Sequence, residues 1–255
     1  MEAKEQNKDT LLTFGGAYSN HIYAVAAAGK LYNLKTIGII RGEEHTPLNP
    51  TLSFATANGM NLYYLDRKSY RTKYSSEMIN ELQNKFGEFY LLPEGGTNEL
   101  AVKGCREIMD NIIIDFDFIC CPCGTGGTIA GLISGLKGEK FALGFSVLKE
   151  ASFLLDDVSN LLKKVDGKKY DNWDINLNYH FGGYAKFNKE LVKFIYEFSK
   201  KNKIPIGPIY TGKMLFGIYD LVSKGFFPKG SKIIAIHTGG LQGLNGLIQN
   251  KKVNF

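Results

Sequence analysis

The stretch from Phe116 to Gly131, FDFICCPCGTGGTIAG, constrains the fold of this chain more than any other. An apolar, β-rich run (Phe116, Phe118, Ile119, Cys120, Cys121) ends at Pro122 and gives way to Gly124-Thr125-Gly126-Gly127-Thr128, after which an apolar helix runs from Ile129 to Leu136. That order reads as strand, tight turn, helix. Backbone N–H groups left free at a helix N-terminus point outward with the positive end of the dipole, and glycines let a ligand approach that backbone. The turn therefore suits a phosphate, although such a turn can also serve only to reverse the chain. Two commoner loops are excluded. A Walker loop ends in Gly-Lys-Ser/Thr, whereas Gly127 is followed by Thr128 and Ile129, and a dinucleotide fingerprint needs a small residue where Ile129 stands.

Around this stretch, short apolar runs alternate with helical segments. The sequence predicts strands at Leu11 to Phe14, Thr36 to Ile40, Asn61 to Leu65 and Phe89 to Leu92, with helices at His21 to Tyr32, Asn49-Pro50 to Asn58 and Ser75 to Phe86 between them. A helix from Glu99 to Asp110 precedes the Phe116 strand. After it the expected order is strand Lys140 to Leu148, helix Ala151 to Lys164, strand Asn176 to Phe181, helices Lys189 to Lys201 and Lys213 to Ser223, and strand Lys232 to Ile236. Such alternation gives parallel sheets, whose ligands gather beyond the carboxyl ends of the strands. The glycine-rich and polar stretches fall there.

Composition narrows the function. The 255 residues are 44% hydrophobic, enough for a substantial core in one or two domains. No segment approaches a membrane span, and the polar start MEAKEQNKDT lacks the apolar core of a signal peptide, so a cytoplasmic protein with no membrane partner is expected. The net charge of +6 comes from lysines interspersed with glutamates, which reads as a solvated surface rather than a nucleic-acid face. Cys120, Cys121 and Cys123 superficially suggest a metal knuckle. Only Cys105 and four scattered histidines could complete it, so no metal is expected, and Cys120 and Cys121 read as small buried residues of the strand.

Four strand ends stand out: GGAYSNH (Gly15 to His21), EGGTN (Glu94 to Asn98), CGTGGT (Cys123 to Thr128) and HTGG (His237 to Gly240). With PIYTGK (Pro208 to Lys213) and FGGY (Phe181 to Tyr184), they resemble the 1-aminocyclopropane-1-carboxylate deaminase / D-cysteine desulfhydrase family of pyridoxal-phosphate enzymes, of the tryptophan-synthase-β fold type. Without that resemblance, a flavodoxin-like or sugar-phosphate-binding domain would suit the same alternation. The resemblance implies an α/β protein of two three-layer αβα domains with largely parallel twisted sheets, in which residues 1–93 form a small domain carrying the GGAYSNH turn and residues 94–255 a large domain carrying the phosphate loop. It further implies pyridoxal 5'-phosphate as cofactor, a small amino acid as substrate, and a homodimer.

Roles for individual residues follow from the same resemblance. Cys123, Gly124, Thr125, Gly126, Gly127 and Thr128 would hold the cofactor phosphate, Asn20 the phenolic oxygen of its ring, and Ser19 would sit by the substrate carboxylate. Tyr184 and Tyr210 match the family's active-site tyrosines, and a phenol near a substrate carbon can transfer a proton. Taken alone, an asparagine at a helix entry is usually an N-cap, and either tyrosine could be core packing.

Thr211 and Thr238 occupy the positions that separate the family's branches. Deaminases carry an acidic residue after the tyrosine and an apolar one in the HTGG slot, whereas desulfhydrases carry hydroxyls at both. Two threonines point to β-elimination, because a hydroxyl facing the pyridine nitrogen favours a neutral ring, sufficient to expel a thiolate. The family's Schiff-base lysine lies in a Ser-Gly-Asn-Lys motif upstream of the GGxxSNH turn, and this chain contains no Gly-Asn-Lys. Aligned on the turn, that lysine falls several residues before Met1. The expectation is a shortened form of a longer chain lacking the first part of the large domain, with an inactive cofactor-binding protein as the alternative.

Overall fold

The computed structural model describes residues 2–241 of the chain. Two compact units divide it, Met1–Gly96 and Thr97–Phe255, each built on its own four-stranded parallel sheet.

In the first unit a short helix α1 (Glu2–Glu5) precedes β1 (Thr10–Gly16), α2 (Asn20–Tyr32), β2 (Lys35–Arg41), α3 (Pro50–Ala57), β3 (Met60–Leu65), α4 (Ser76–Phe86) and β4 (Tyr90–Leu92). The strand order is β3-β2-β1-β4. A parallel sheet is covered on both faces, so its inner strands read as continuous apolar runs. Along β1, Leu11 enters one core with Ile22, Ala26 and Leu52 of α2 and α3, while Leu12 and Phe14 enter a second with Leu82 of α4 and Tyr70. The alternation follows from the period of two in a strand.

In the second unit α5 (Glu99–Arg106) leads to β5 (Phe118–Cys123), α6 (Gly127–Leu136), β6 (Phe141–Ser146), α7 (Phe153–Asp166), β7 (Trp173–Asn176), α8 (Lys189–Asn202), α9 (Thr211–Ser223) and β8 (Ile233–Ala235), in the order β7-β6-β5-β8. Ile119, Cys121 and Cys123 face α6 and α7 through Ile129, Ile133, Leu154 and Val158; Cys120, Leu143 and Phe145 face α8 and α9 through Leu191, Ile195, Met214 and Ile218. Cys120 and Cys121 are buried strand residues, as the sequence predicts, and Cys123, expected in the loop, is buried at the end of the same strand. The fold class is the expected one: α/β, with two parallel sheets each flanked by helices.

Several boundaries differ from expectation. β5 does not end at Pro122 but passes through it to Cys123. Cys120 O accepts from Ile236 N and Cys123 O from Val147 N, so odd residues bond toward β6 and even ones toward β8. The N–H that Pro122 lacks would therefore face the side on which β8 has already ended, and proline is tolerated there. β7 lies at Trp173–Asn176 instead of Asn176 to Phe181, because Asn176 Oδ1 accepts from Asn178 N at 3.0 Å and turns the chain away. α9 begins at Thr211, two residues before the expected Lys213, and α5 gives way after Arg106 to a short 3-10 turn at Met109–Asn111.

Candidate cofactor and substrate site

In the second unit the phosphate-loop residues run without a break from strand into helix. Cys123 closes β5, Gly124 and Thr125 make the turn, and Gly126 caps α6 in the left-handed region at φ 80°. The first intrahelical bond is donated by Ala130 N to Gly126 O at 3.0 Å, so the amides of Gly127, Thr128 and Ile129 precede the ladder and belong to the positive end of the helix. Gly126 is dictated by space, since a Cβ there would lie 2.7 Å from Val158 Cγ2, and a Cβ would be a tight fit at Gly127, 3.0 Å from Thr97 Oγ1, and at Gly124, 3.3 Å from the Tyr210 ring. The Thr97 hydroxyl hydrogen-bonds that of Thr125. Burial raises the pKa of the Cys105 thiol, and Thr128 beside it opposes that shift.

Tyr210 and Tyr184 meet beside this loop, with ring centroids 6.0 Å apart at 72°. Burial, then the neighbouring Tyr184 and the hydrogen bond to it, raise the Tyr210 phenol far above the ordinary tyrosine range. It stays protonated at neutral pH. Thr211, the next residue and the first of α9, is buried with a hydroxyl oxygen that has no hydrogen-bond partner among the described residues. A buried orphan hydroxyl is costly unless a ligand completes it. Amides at the opening of α6 and this hydroxyl together fit a phosphorylated pyridine. Thr238, after β8, is exposed, and its neighbour His237 is fixed by Pro205 O at 3.0 Å and by Gly239 N at 3.0 Å.

The role of Lys213 was not legible in the sequence. Its side chain is fully buried, with Nζ donating to His180 O at 2.7 Å, Gly183 O at 2.8 Å and Val147 O at 3.5 Å. Burial lowers its pKa to about 8. These carbonyls fix the 181–185 segment, in which Phe181, Gly182, Gly183 and Ala185 all have positive φ, and thereby fix Tyr184.

Ser19 and Asn20 lie in the first unit. β1 continues to Gly16, and the turn closes when Ser19 N donates to Gly16 O at 3.0 Å. Ser19, not Asn20, caps α2, its Oγ accepting from Ile22 N at 3.3 Å. Asn20 is the first helical residue. Gly15 is required because a Cβ there would lie 2.5 Å from Ile22 Cγ1 and 3.0 Å from Ser19 Oγ. His21 anchors the turn: Thr13 Oγ1 donates to Leu92 O at 3.0 Å, so the same hydroxyl, 2.7 Å from His21 Nε2, accepts the imidazole N–H. Burial lowers the His21 pKa to about 4, leaving it neutral at physiological pH.

Known proteins extend this reading. The family model described as pyridoxal-phosphate dependent enzyme matches residues 1–239. A putative 1-aminocyclopropane-1-carboxylate deaminase of Pyrococcus furiosus is 32% identical over 249 residues, covering 92% of this chain and 75% of that relative. The mitochondrial bifunctional D-cysteine desulfhydrase/1-aminocyclopropane-1-carboxylate deaminase of Arabidopsis thaliana is also 32% identical, over 95% of this chain and 66% of that protein. The crystal structure of an ACC deaminase homologue superposes with a TM-score of 0.86 at 28% identity, covering 98% of this chain and 79% of that one. With the glycine loop, the buried Thr211 hydroxyl and the paired tyrosines in place, these similarities give the conclusion that the chain belongs to the pyridoxal-phosphate dependent enzymes, in the branch of the 1-aminocyclopropane-1-carboxylate deaminases and D-cysteine desulfhydrases.

Proposed function

We propose that the protein is a lyase of the D-cysteine desulfhydrase type, releasing pyruvate, ammonia and sulfide from a small thiol amino acid. The observation that carries this reading is the pair of threonines, Thr211 and Thr238, where a deaminase of this family has an acidic and an apolar residue. When bound, pyridoxal phosphate supplies an electron sink for breaking a bond at the substrate Cα. The amides of Gly124 to Thr128 would receive its phosphate, the Thr211 hydroxyl would meet the pyridine nitrogen without protonating it, and Asn20 would hold the ring's phenolic oxygen, as the resemblance implies. Ser19 and the amides opening α2 accept the substrate carboxylate.

Tyr210, protonated at neutral pH, is the phenol suited to hydrogen-bonding the departing sulfur, and Tyr184 packs against it with ring centroids 6.0 Å apart. The same resemblance supports a homodimer, which sedimentation would report as twice the 28.4 kDa chain mass.

The test offers the purified protein, supplied with the cofactor, D-cysteine and 1-aminocyclopropane-1-carboxylate in parallel. Sulfide and pyruvate from D-cysteine are expected. Release of 2-oxobutanoate from the cyclopropane substrate with no sulfide from D-cysteine would transfer the assignment to deamination. A cofactor absorbance change with neither product would mark a binding protein without turnover.

A further inference from the structure

The first unit contains an open cavity of about 640 Å³ that the proposed chemistry does not use. It lies at the carboxyl ends of β1 and β2, where parallel sheets gather ligands, and is completed by the residues that follow β3. Four cationic side chains line it, Arg41, Arg67, Arg71 and Lys73, against one carboxylate, Glu94.

That carboxylate is already engaged. Lys73 Nζ lies 3.1 Å from Glu94 Oε2, and Tyr70 OH donates to Glu94 Oε1 at 3.0 Å. Asp66, the acid nearest Arg67 in sequence, is turned to the backbone: Oδ1 accepts from Lys68 N and Ser69 N, and Oδ2 from Ser69 Oγ. Among the described residues none of the three arginines forms an ion pair. All three are exposed, and the Arg41 side chain is the one held in place. The Arg41 guanidinium lies 5.8 Å over the ring of buried Tyr70 and against Gly16, and Lys73 lies 4.8 Å from the same ring. Arg71 belongs to the short 3-10 turn Ser69–Thr72 that Asp66 fixes.

Like charges repel unless an anion compensates them, and a planar guanidinium fork matches two oxygens of a carboxylate, sulfate or phosphate. We propose that this pocket binds a small multivalent oxyanion through Arg41, Arg67 and Arg71. The chemistry admits two sources, a free inorganic oxyanion or the acidic group of an amino-acid ligand. The second has a route, because the pocket is lined by Gly16 and Ala17 of the turn that carries Ser19.

The proposal does not depend on the lyase reading and is tested without turnover. Protein loaded with pyridoxal phosphate is titrated calorimetrically with inorganic phosphate and with cysteate, at constant ionic strength in chloride, beside R67Q/R71Q and R67K/R71K variants whose fold is checked by circular dichroism. Saturable binding is expected, weakened at least about 10-fold in R67Q/R71Q and partly retained in R67K/R71K. Tighter binding of cysteate identifies an amino-acid ligand, and tighter binding of phosphate a free anion. Equal affinity in wild type and R67Q/R71Q, or no binding above the chloride background, overturns the proposal.

Discussion

At the scale of single residues, a buried lysine and a half-buried histidine are held in opposite charge states for different reasons. Lys213 keeps its proton at neutral pH because backbone carbonyls surround Nζ. Lys213→Met leaves those carbonyls without a donor, and each buried unsatisfied group costs about 1–3 kcal/mol, so a loss of about 2–4 kcal/mol in urea unfolding is expected after loop relaxation. An unchanged midpoint would mean that the 181–185 segment holds itself. His21 is neutral because burial disfavours its charged form, with a pKa of about 4 against an ordinary 6.5. The unfolded chain then binds the extra proton first. Stability is fully present above pH 6.5 and falls as the pH drops toward 4, by up to about 3 kcal/mol from this group. Denaturation across that window should show the slope in wild type and lose part of it in His21→Gln.

At the scale of elements, the motifs were legible and their ends were not. Apolar periodicity and the punctuation by Gly, Pro, Ser and Asn located helix starts well: Ser75 and Asn49 cap α4 and α3 through their side chains. The errors fell where a neighbouring element decides. Pro122 reads as a strand terminus, and only the early end of β8 makes it harmless inside β5. Asn20 reads as a cap, and only the tight return of Gly15–Gly16 onto α2 gives that role to Ser19. The turn into α6 offers a sharper test. Gly126→Ala places a Cβ 2.7 Å from Val158 at a positive φ and should cost about 1–3 kcal/mol and weaken cofactor binding. Gly138→Ala, also at positive φ but facing open space, should cost only about 1 kcal/mol and spare binding. Equal losses in the two variants would show that crowding at Val158 is unimportant.

At the scale of the whole molecule, each sheet is buried at its centre and thinly covered at its edges. β1 and β2 in one unit and β5 and β6 in the other are almost wholly buried, whereas β4, β7 and β8 are short and partly exposed. Hydrogen exchange should therefore be slowest in those four central strands and faster in the edge strands. Uniform protection across a sheet would contradict this layering. We place the domain boundary within residues 93–97, where the polar EGGT segment separates the two sheets' contributions. By itself the sequence determined what depends on neighbours along the chain: parallel α/β class, the glycine loop, the cofactor class and the family. Only tertiary structure decided what depends on distant segments, such as the carbonyl cage around Lys213, the orphan hydroxyl of Thr211, the neutral state of His21 and the unpaired arginines. Periodicity and turn chemistry are local properties, whereas burial and charge compensation exist only once remote residues are brought together.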